Sequence, residues 1–184
     1  MAAENTITLG MSAAISGTSA NLGRELYTGS KSYFDKVNSV GGVNGNQINI
    51  ILIDDAYNPE TTVKNVISLH EENIDVFFGF VGTPTVTRAL PLIKHYNKLL
   101  AFPFTGAESV RTAPYNHYVL NLRGSYFEET EELVSLFFNK GFKKISVFYQ
   151  SDAYGRNGWQ GVKNALKKRN LNITSEASYN RGAS

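Results

Sequence analysis

Short apolar runs alternate along the whole chain with longer stretches whose apolar residues recur at helical spacing. Ile7–Met11 reads as a first strand. Gly23–Val37 follows with Leu26, Tyr33, Phe34 and Val37 along one side, as a helix requires, and Gly41-Gly42-Val43-Asn44-Gly45 ends it. Ile48–Ile53 is β-branched and reads as a strand. Asn58-Pro59-Glu60 then supplies a cap, a first-position proline and a first-turn acid for a helix to about Glu72. The pattern predicts further strands at Val76–Phe80, Leu99–Phe102, Val119–Leu122, Ile145–Tyr149 and Ile173–Tyr179. Helices are predicted from Pro84 to about Asn97 and over Gly124–Asn139 and Gly155–Arg169.

This alternation implies βαβ units, a mostly parallel, doubly wound sheet and right-handed crossovers that cover both of its faces. The fold class is therefore α/β. Four predicted strand ends run into small, hydroxyl-bearing segments: Ala14 to Ser19, Gly82-Thr83-Pro84-Thr85, Phe104-Thr105-Gly106-Ala107, and Gln150 to Gly155. Open α/β sheets bind ligands outside the carboxyl ends of their strands. Ser, Thr, Gly and Tyr in those places suit holding a small polar molecule without reacting with it.

Composition narrows the classes. With 184 residues and 42% hydrophobic content the chain can bury one or two ordinary cores. A net charge of +2 leaves no basic footprint for nucleic acid. The absence of cysteine removes disulfides, thiolate metal sites and a Cys nucleophile. His70, His95 and His117 are scattered without metal-ligand spacing, so neither a metal nor a cofactor is expected. No apolar run has the length of a membrane span. The opening Met1 to Thr6 has neither a basic nor an apolar leader segment, which leaves open a cytoplasmic protein or a leader replaced by an initiating Met. Most of the 11 Phe and ten Tyr lie in strand-like or helix-face runs and read as core.

Several pieces, in order, then give a resemblance. Ile7 to Gly17 with Leu22-Gly23, the turn Asn38 to Gly45, Asp54-Asp55-Ala56-Tyr57-Asn58-Pro59, Phe102 to Ala107, and Ser151-Asp152-Ala153-Tyr154-Gly155 resemble the type I periplasmic binding proteins, specifically the branched-chain amino-acid-binding group. The resemblance implies two α/β lobes that close over a ligand by hinge motion. Residues 1–121 would form most of the first lobe, and 122–184 the beginning of an incomplete second. It also implies a periplasmic or extracellular location, with the leader absent from this chain.

The resemblance assigns candidate ligand-binding residues. Thr85, with Thr83 close by, matches the position of the family's carboxylate-binding hydroxyl at a helix start. Phe104, Thr105 and Gly106 match the loop that supplies acceptors for an ammonium. Leu22 matches an aromatic wall, and Tyr154 a second-lobe tyrosine that closes over ligand. Helix capping is the competing reading of the two threonines. Phe104 and Leu22 depart from the family pattern and reshape the expected pocket. Asp54 and Asp55 read as residues that structure their loop, and Arg111 and Arg123 as surface or interlobe partners.

The resulting expectation is non-catalytic binding of a small ligand, an amino acid or related small carboxylate, as the solute-binding component of an ABC-type uptake transporter with a membrane permease as partner. An extracytoplasmic sensing domain with a signalling partner is the alternative. A doubly wound enzyme fits less well, since no G-x-G-x-x-G, P-loop or nucleophile elbow is present. An interaction module is a third reading. Receptors of the resembled type often dimerise through first-lobe helices, so a homodimer could use Gly23–Val37 or Pro84–Asn97, with core burial as the default.

Overall fold

A computed structural model describes residues 6–182. Residues 1–5, on which the expectation about a leader fell, and the final Ala183-Ser184 lie outside the described residues. Two parallel sheets are present. The first contains β1 (Thr6–Ala13), β2 (Gln47–Asp54), β3 (Val76–Phe78), β4 (Leu100–Ala101) and β5 (Val119–Leu120), in the order β2-β1-β3-β4-β5. The second pairs β6 (Ser146–Gln150) with β7 (Ser175–Tyr179). Every ladder is parallel.

Strand β1 sits between β2 and β3, so the strand order reverses direction there. In open α/β sheets such a switch point opens a crevice at the strand tips. The connecting helices are α1 (Ala20–Ser39), α2 (Pro59–Glu71) and α3 (Thr83–His95). The two-residue period of β2 divides its side chains between the sheet's faces. Ile48, Ile50 and Leu52 join Leu26 and Phe34 of α1. Ile51 and Ile53 join the opposite cluster, where Val66 and Leu69 of α2 meet Val86, Leu90 and Ile93 of α3. Phe77 and Phe78 make the same division within β3.

Beyond β5 the chain enters α4 (Tyr126–Asn139), which packs on α5 (Ala153–Lys167). Val134, Ala165 and Leu166 form a separate small core there with Ile145, Val162 and Ile173. Glu131 pairs with Arg169 at 2.8 Å and Lys168 at 3.1 Å, and its hydrogen bond from Arg169 is the main reason its carboxyl stays below the ordinary range. A capping box begins α4: Ser125 Oγ accepts from Phe127 N at 3.0 Å, and Glu128 accepts from Ser125 N at 3.1 Å. Asn58 caps α2 by accepting from the N–H groups of Glu60 and Thr61. Each such cap is worth about 1 kcal/mol.

Some predicted boundaries shift for local reasons. The third strand stops at Phe78, two residues early, because Gly79 takes φ +62. The fourth is only Leu100–Ala101, because Phe102 has φ 54. Helix α1 begins at Ala20, three residues before its predicted start, and α4 begins at Tyr126 behind its Ser125 cap. Among the described residues, no helix is long and apolar enough to cross a membrane.

Candidate functional site

The tips of both sheets face one cleft of about 480 Å³. The β1–α1 loop contributes Thr18, Ser19 and Leu22, and the β3–α3 turn contributes Val81, Gly82 and Thr83. Tyr57 enters from the β2–α2 loop and Phe104 from the segment after β4. From beyond the first sheet come Arg123 and Tyr126 at the start of α4, then Gln150 and Tyr154 around the β6–α5 turn. Tyr179, Arg181 and Gly182 complete the wall at the end of β7.

Four of the expected site residues therefore line one hollow: Leu22, Thr83, Phe104 and Tyr154. Leu22, Phe104 and Tyr154 are exposed into it, at 47%, 41% and 48%. Thr83 is almost wholly buried, and its hydroxyl shares a 2.7 Å hydrogen bond with that of Thr105.

Thr85, Thr105 and Gly106 lie behind this surface. Thr85 is fully buried, and its hydroxyl donates to the carbonyls of Val81, just before the helix, and Gly82, at its N-cap. The hydroxyl expected to meet a carboxylate thus bonds within the helix start, and Thr85 is not among the residues that line the cleft. Thr105 is also fully buried, and its hydroxyl accepts from Ala107 N at 3.2 Å besides bonding Thr83. Gly106 supports the site from below: a β-carbon there would stand 2.7 Å from the Tyr126 ring, and its carbonyl accepts from Tyr126 N at 2.8 Å. The capping reading of the threonines is also revised, since α3 is preceded by Gly82 with no side-chain cap.

The cleft is richer in rings and cations than the hydroxyl-bearing strand tips suggested. Phe104 and Tyr154, both expected there, are joined along it by Tyr57, Tyr126 and Tyr179, of which Tyr126 is itself buried. Tyr126 and Tyr154 meet edge to face with centroids 5.4 Å apart. The Arg123 guanidinium lies 5.4 Å from the Phe104 ring centre and 5.0 Å from that of Tyr126. It also pairs with Glu129 at 3.0 Å. Arg181 lies 3.8 Å above the Tyr57 ring, pairs with Asp152 at 3.1 Å and reaches Ser19 Oγ at 3.4 Å. Arg111 is spent internally, donating to the Arg123 carbonyl.

Sequence reading missed Tyr57 as a site residue, although its signal stood in the Asp54-Asp55-Ala56-Tyr57 loop. Ala56 and Tyr57 both take left-handed backbone, with φ 48 and 60. Side-chain residues adopt that region only when their surroundings impose it. Here two carboxylates do so. Asp54 accepts from Ala56 N and Ile15 N, each at 2.9 Å. Asp55 accepts from Tyr57 N at 2.8 Å, Ser12 Oγ at 2.9 Å and Thr62 Oγ1 at 3.1 Å. Burial pushes the Asp55 carboxyl above its ordinary range despite these donors. Burial acts on Asp54 in the same direction, but hydrogen bonds from Ser16, Ile15 and Ala56 together outweigh it and hold that carboxyl low. Burial also raises the Tyr57 hydroxyl, with Arg181 opposing. Among the described residues, no cluster of His, Asp and Glu is arranged to hold a metal ion.

Comparisons with known proteins agree with this geometry. The family model described as periplasmic binding protein matches residues 6–184. The Leu/Ile/Val-binding protein of Escherichia coli (strain K12) is 23% identical over 174 residues, which cover 94% of this chain and 47% of that protein. A solved structure of a possible leucine/isoleucine/valine-binding protein from Rhodopirellula baltica SH 1 superposes with TM-score 0.92 at 31% identity, over 98% of this chain and 50% of its own. A substrate-binding periplasmic protein from Ralstonia solanacearum gives TM-score 0.89 at 34% identity, over 96% and 50%. The chain thus spans about half the length of the relatives it matches. Two parallel sheets whose tips share one cleft, and a family match across all the described residues, place this chain in the periplasmic binding protein family.

Proposed function

We propose that this chain supplies one half of a solute-binding protein, which captures a small organic carboxylate, amino acids included, and releases it chemically unchanged. One observation carries the reading: loops from two separate parallel sheets converge on a single cleft of about 480 Å³. That volume suits a metabolite-sized ligand. In this reading residues 1–121 form most of the first lobe and 122–184 the beginning of the second. The protein works in the periplasm and delivers its ligand to the membrane permease of an ABC-type transporter. Family membership supports both statements, since the matched relatives are binding proteins.

The test is a thermal-shift screen of the full chain against amino acids and small carboxylates. A ligand that binds only the folded protein stabilises it by about 2.7 kcal/mol at a hundred times its Kd. One chemical class should raise the melting temperature and be recovered intact from the mixture. Consumption of the ligand, or no shift with any member of the screen, would overturn the reading.

A further inference from the structure

We propose that Asn38 is an edge guard. Its side-chain amide takes the place of a neighbouring strand on the outer edge of β2 and keeps two copies of this chain from joining their first sheets edge to edge. The role lies within the first sheet and is independent of what the cleft binds.

Strand β2 is paired on one side by β1 and on the other, among the described residues, by no strand. An outermost strand presents a row of backbone N–H and C=O groups that can pair with another chain. Short length, a bulge, a proline or a lysine blunts such an edge in other proteins. β2 has none of these. It runs for eight residues, and its register with β1 is unbroken from Gln47 to Asp54. The stretch Gln47-Ile48-Asn49-Ile50-Ile51-Leu52-Ile53 holds no charge, glycine or proline. Apolar, β-branched, uncharged windows of this kind self-associate when exposed. Helix α1 packs on one face of β2 through Leu26, Tyr27 and Phe34. A hollow of about 70 Å³ remains where it passes Ile48, Asn49 and Ile50. The sheet's opposite edge, β5, is only Val119–Leu120 and offers little to pair with.

Asn38 fills the first place on that edge. It stands in the last turn of α1, and the tight turn at 40–46 brings it beside the start of β2. Gly42 permits the turn: it takes φ +73, and a β-carbon there would stand 2.0 Å from the Asn46 carbonyl oxygen. From this position Asn38 Nδ2 donates to the Ile48 carbonyl and Asn38 Oδ1 accepts from Ile48 N, both at 2.8 Å. A residue of a neighbouring antiparallel strand would exchange the same reciprocal pair. The Gln47 side-chain amide donates in turn to the Asn38 carbonyl at 3.4 Å. Backbone groups alternate sides along a strand, so Ile50 and Leu52 turn theirs the same way as Ile48. Among the described residues, no hydrogen bond reaches those groups from outside the β1–β2 ladder. At the far end the Asp54 carbonyl already accepts from Asn65 Nδ2 at 3.0 Å. An incoming strand thus finds only Ile50 and Leu52 open, and so short an edge is a poor template. Removing the Asn38 amide would open Ile48 as well and lengthen the template.

Sedimentation of the full chain at about 10 and about 100 µM tests this, since unpaired strand edges associate in that range. Asn38→Ala should gain mass with concentration and reach at least about twice the wild-type mass, as pairing of two copies requires. Asn49→Lys, at an exposed position of the same strand, supplies the charge that the edge lacks. In the Asn38→Ala chain it should restore the wild-type mass, and alone it should change nothing. An Asn38 that merely ties α1 to β2 would lower the melting temperature on removal and leave the mass unaltered, which overturns the proposal. Association that persists in the double variant lies elsewhere on the surface and overturns it too. So does a fall in mass with Asn49→Lys alone, because the edge would then be paired despite Asn38. The wild type supplies a second measurement, which stands even if Asn38→Ala does not fold. Its Ile48 amide should exchange at least about tenfold more slowly than its Ile50 amide, since the guard covers one and leaves the other open. Equal exchange at the two would mean that Asn38 guards nothing.

Discussion

The backbone N–H of Tyr57 donates to Asp55 Oδ1 across 2.8 Å, and this bond turns a buried acid into the support of a cleft residue. Asp55 is fully buried, and its other oxygen accepts from Ser12 and Thr62. Asp55→Ala would leave the Ser12 hydroxyl and the Tyr57 N–H without their acceptor, while the Thr62 hydroxyl keeps the Asn58 carbonyl at 3.0 Å. Each buried group left unpaired costs about 1–3 kcal/mol, so a loss of roughly 3 kcal/mol is expected in urea unfolding. Ligand affinity should fall as well, because nothing then fixes the left-handed backbone at Tyr57.

The same two acids make opposite contributions to the pH dependence of stability. Asp55 has a folded pKa above its unfolded value, so the folded state holds its proton more tightly. Its contribution therefore falls as pH rises from about 3.9, the unfolded value, through the folded one. Asp54 is depressed. Its contribution is complete above the unfolded value and is lost as pH falls through the folded one. In Asp55→Asn the stability curve should flatten above about pH 4, while the acid-side loss due to Asp54 persists. Melting temperatures between about pH 3 and 7 check both signs. A fall on the alkaline side that is identical in wild type and Asp55→Asn would contradict the assignment to Asp55.

Thr83 and Thr85 separate binding from folding. The Thr85 hydroxyl is spent on the carbonyls of Val81 and Gly82. Thr85→Val should lower stability by about 1 kcal/mol, the net worth of a buried hydrogen bond, and leave affinity within about twofold. Thr83 lines the cleft and is tied to Thr105 at 2.7 Å. Thr83→Val should weaken ligand binding by about tenfold, as loss of one hydrogen bond to a charged group would. A Thr85→Val protein with normal stability and lost binding would reverse these roles.

Much of the architecture was legible in the chain because period and punctuation agree. The Asn58-Pro59-Glu60 start of α2 is both a cap signal and the observed cap. The alternating β2 residues are the ones that part between two cores. The site was less legible, because a strand tip's sequence does not say which way a side chain turns. Thr83 and Thr85 are two residues apart, yet on a helix they diverge by roughly 200°. Only one of them meets the cleft. Arg181 could not be placed either, since it acts through Tyr57 and Ser19, over a hundred positions away in the chain.

Gly82 and Tyr57 are matched in shape. Gly82 has φ +101, and a β-carbon there would lie 2.4 Å from the Tyr57 ring. Gly82→Ala should therefore cost about 1–3 kcal/mol for the backbone alone and more for the clash. Tyr57→Ala removes the ring and with it the clash. The double variant should recover part of the loss, leaving a coupling energy of about 1 kcal/mol or more in a double-mutant cycle. Strict additivity would mean that the ring does not restrain position 82.

Arg181 connects the end of β7 to loops of the first sheet. Its guanidinium covers the Tyr57 ring, holds Asp152 and reaches Ser19. Asp152 also caps α5 through Gly155 N at 3.1 Å and accepts from Gln150. One cation thus ties the start of α5 to two loops of the first sheet. The site is solvated, so Arg181→Ala should cost only about 1 kcal/mol or less in global stability, as partly exposed ion pairs do. The local effect should be larger than the global one. Amide hydrogen exchange should quicken in the Ala56–Asn58 loop and at the start of α5, while Val134 and Leu166 in the small core keep their protection. Because the pair is screened by salt, adding about 0.5 M NaCl to the wild type should reproduce part of that loosening. Uniform quickening across both cores would instead mean that Arg181 supports the fold as a whole. Unchanged exchange around Tyr57 would mean that it ties nothing together.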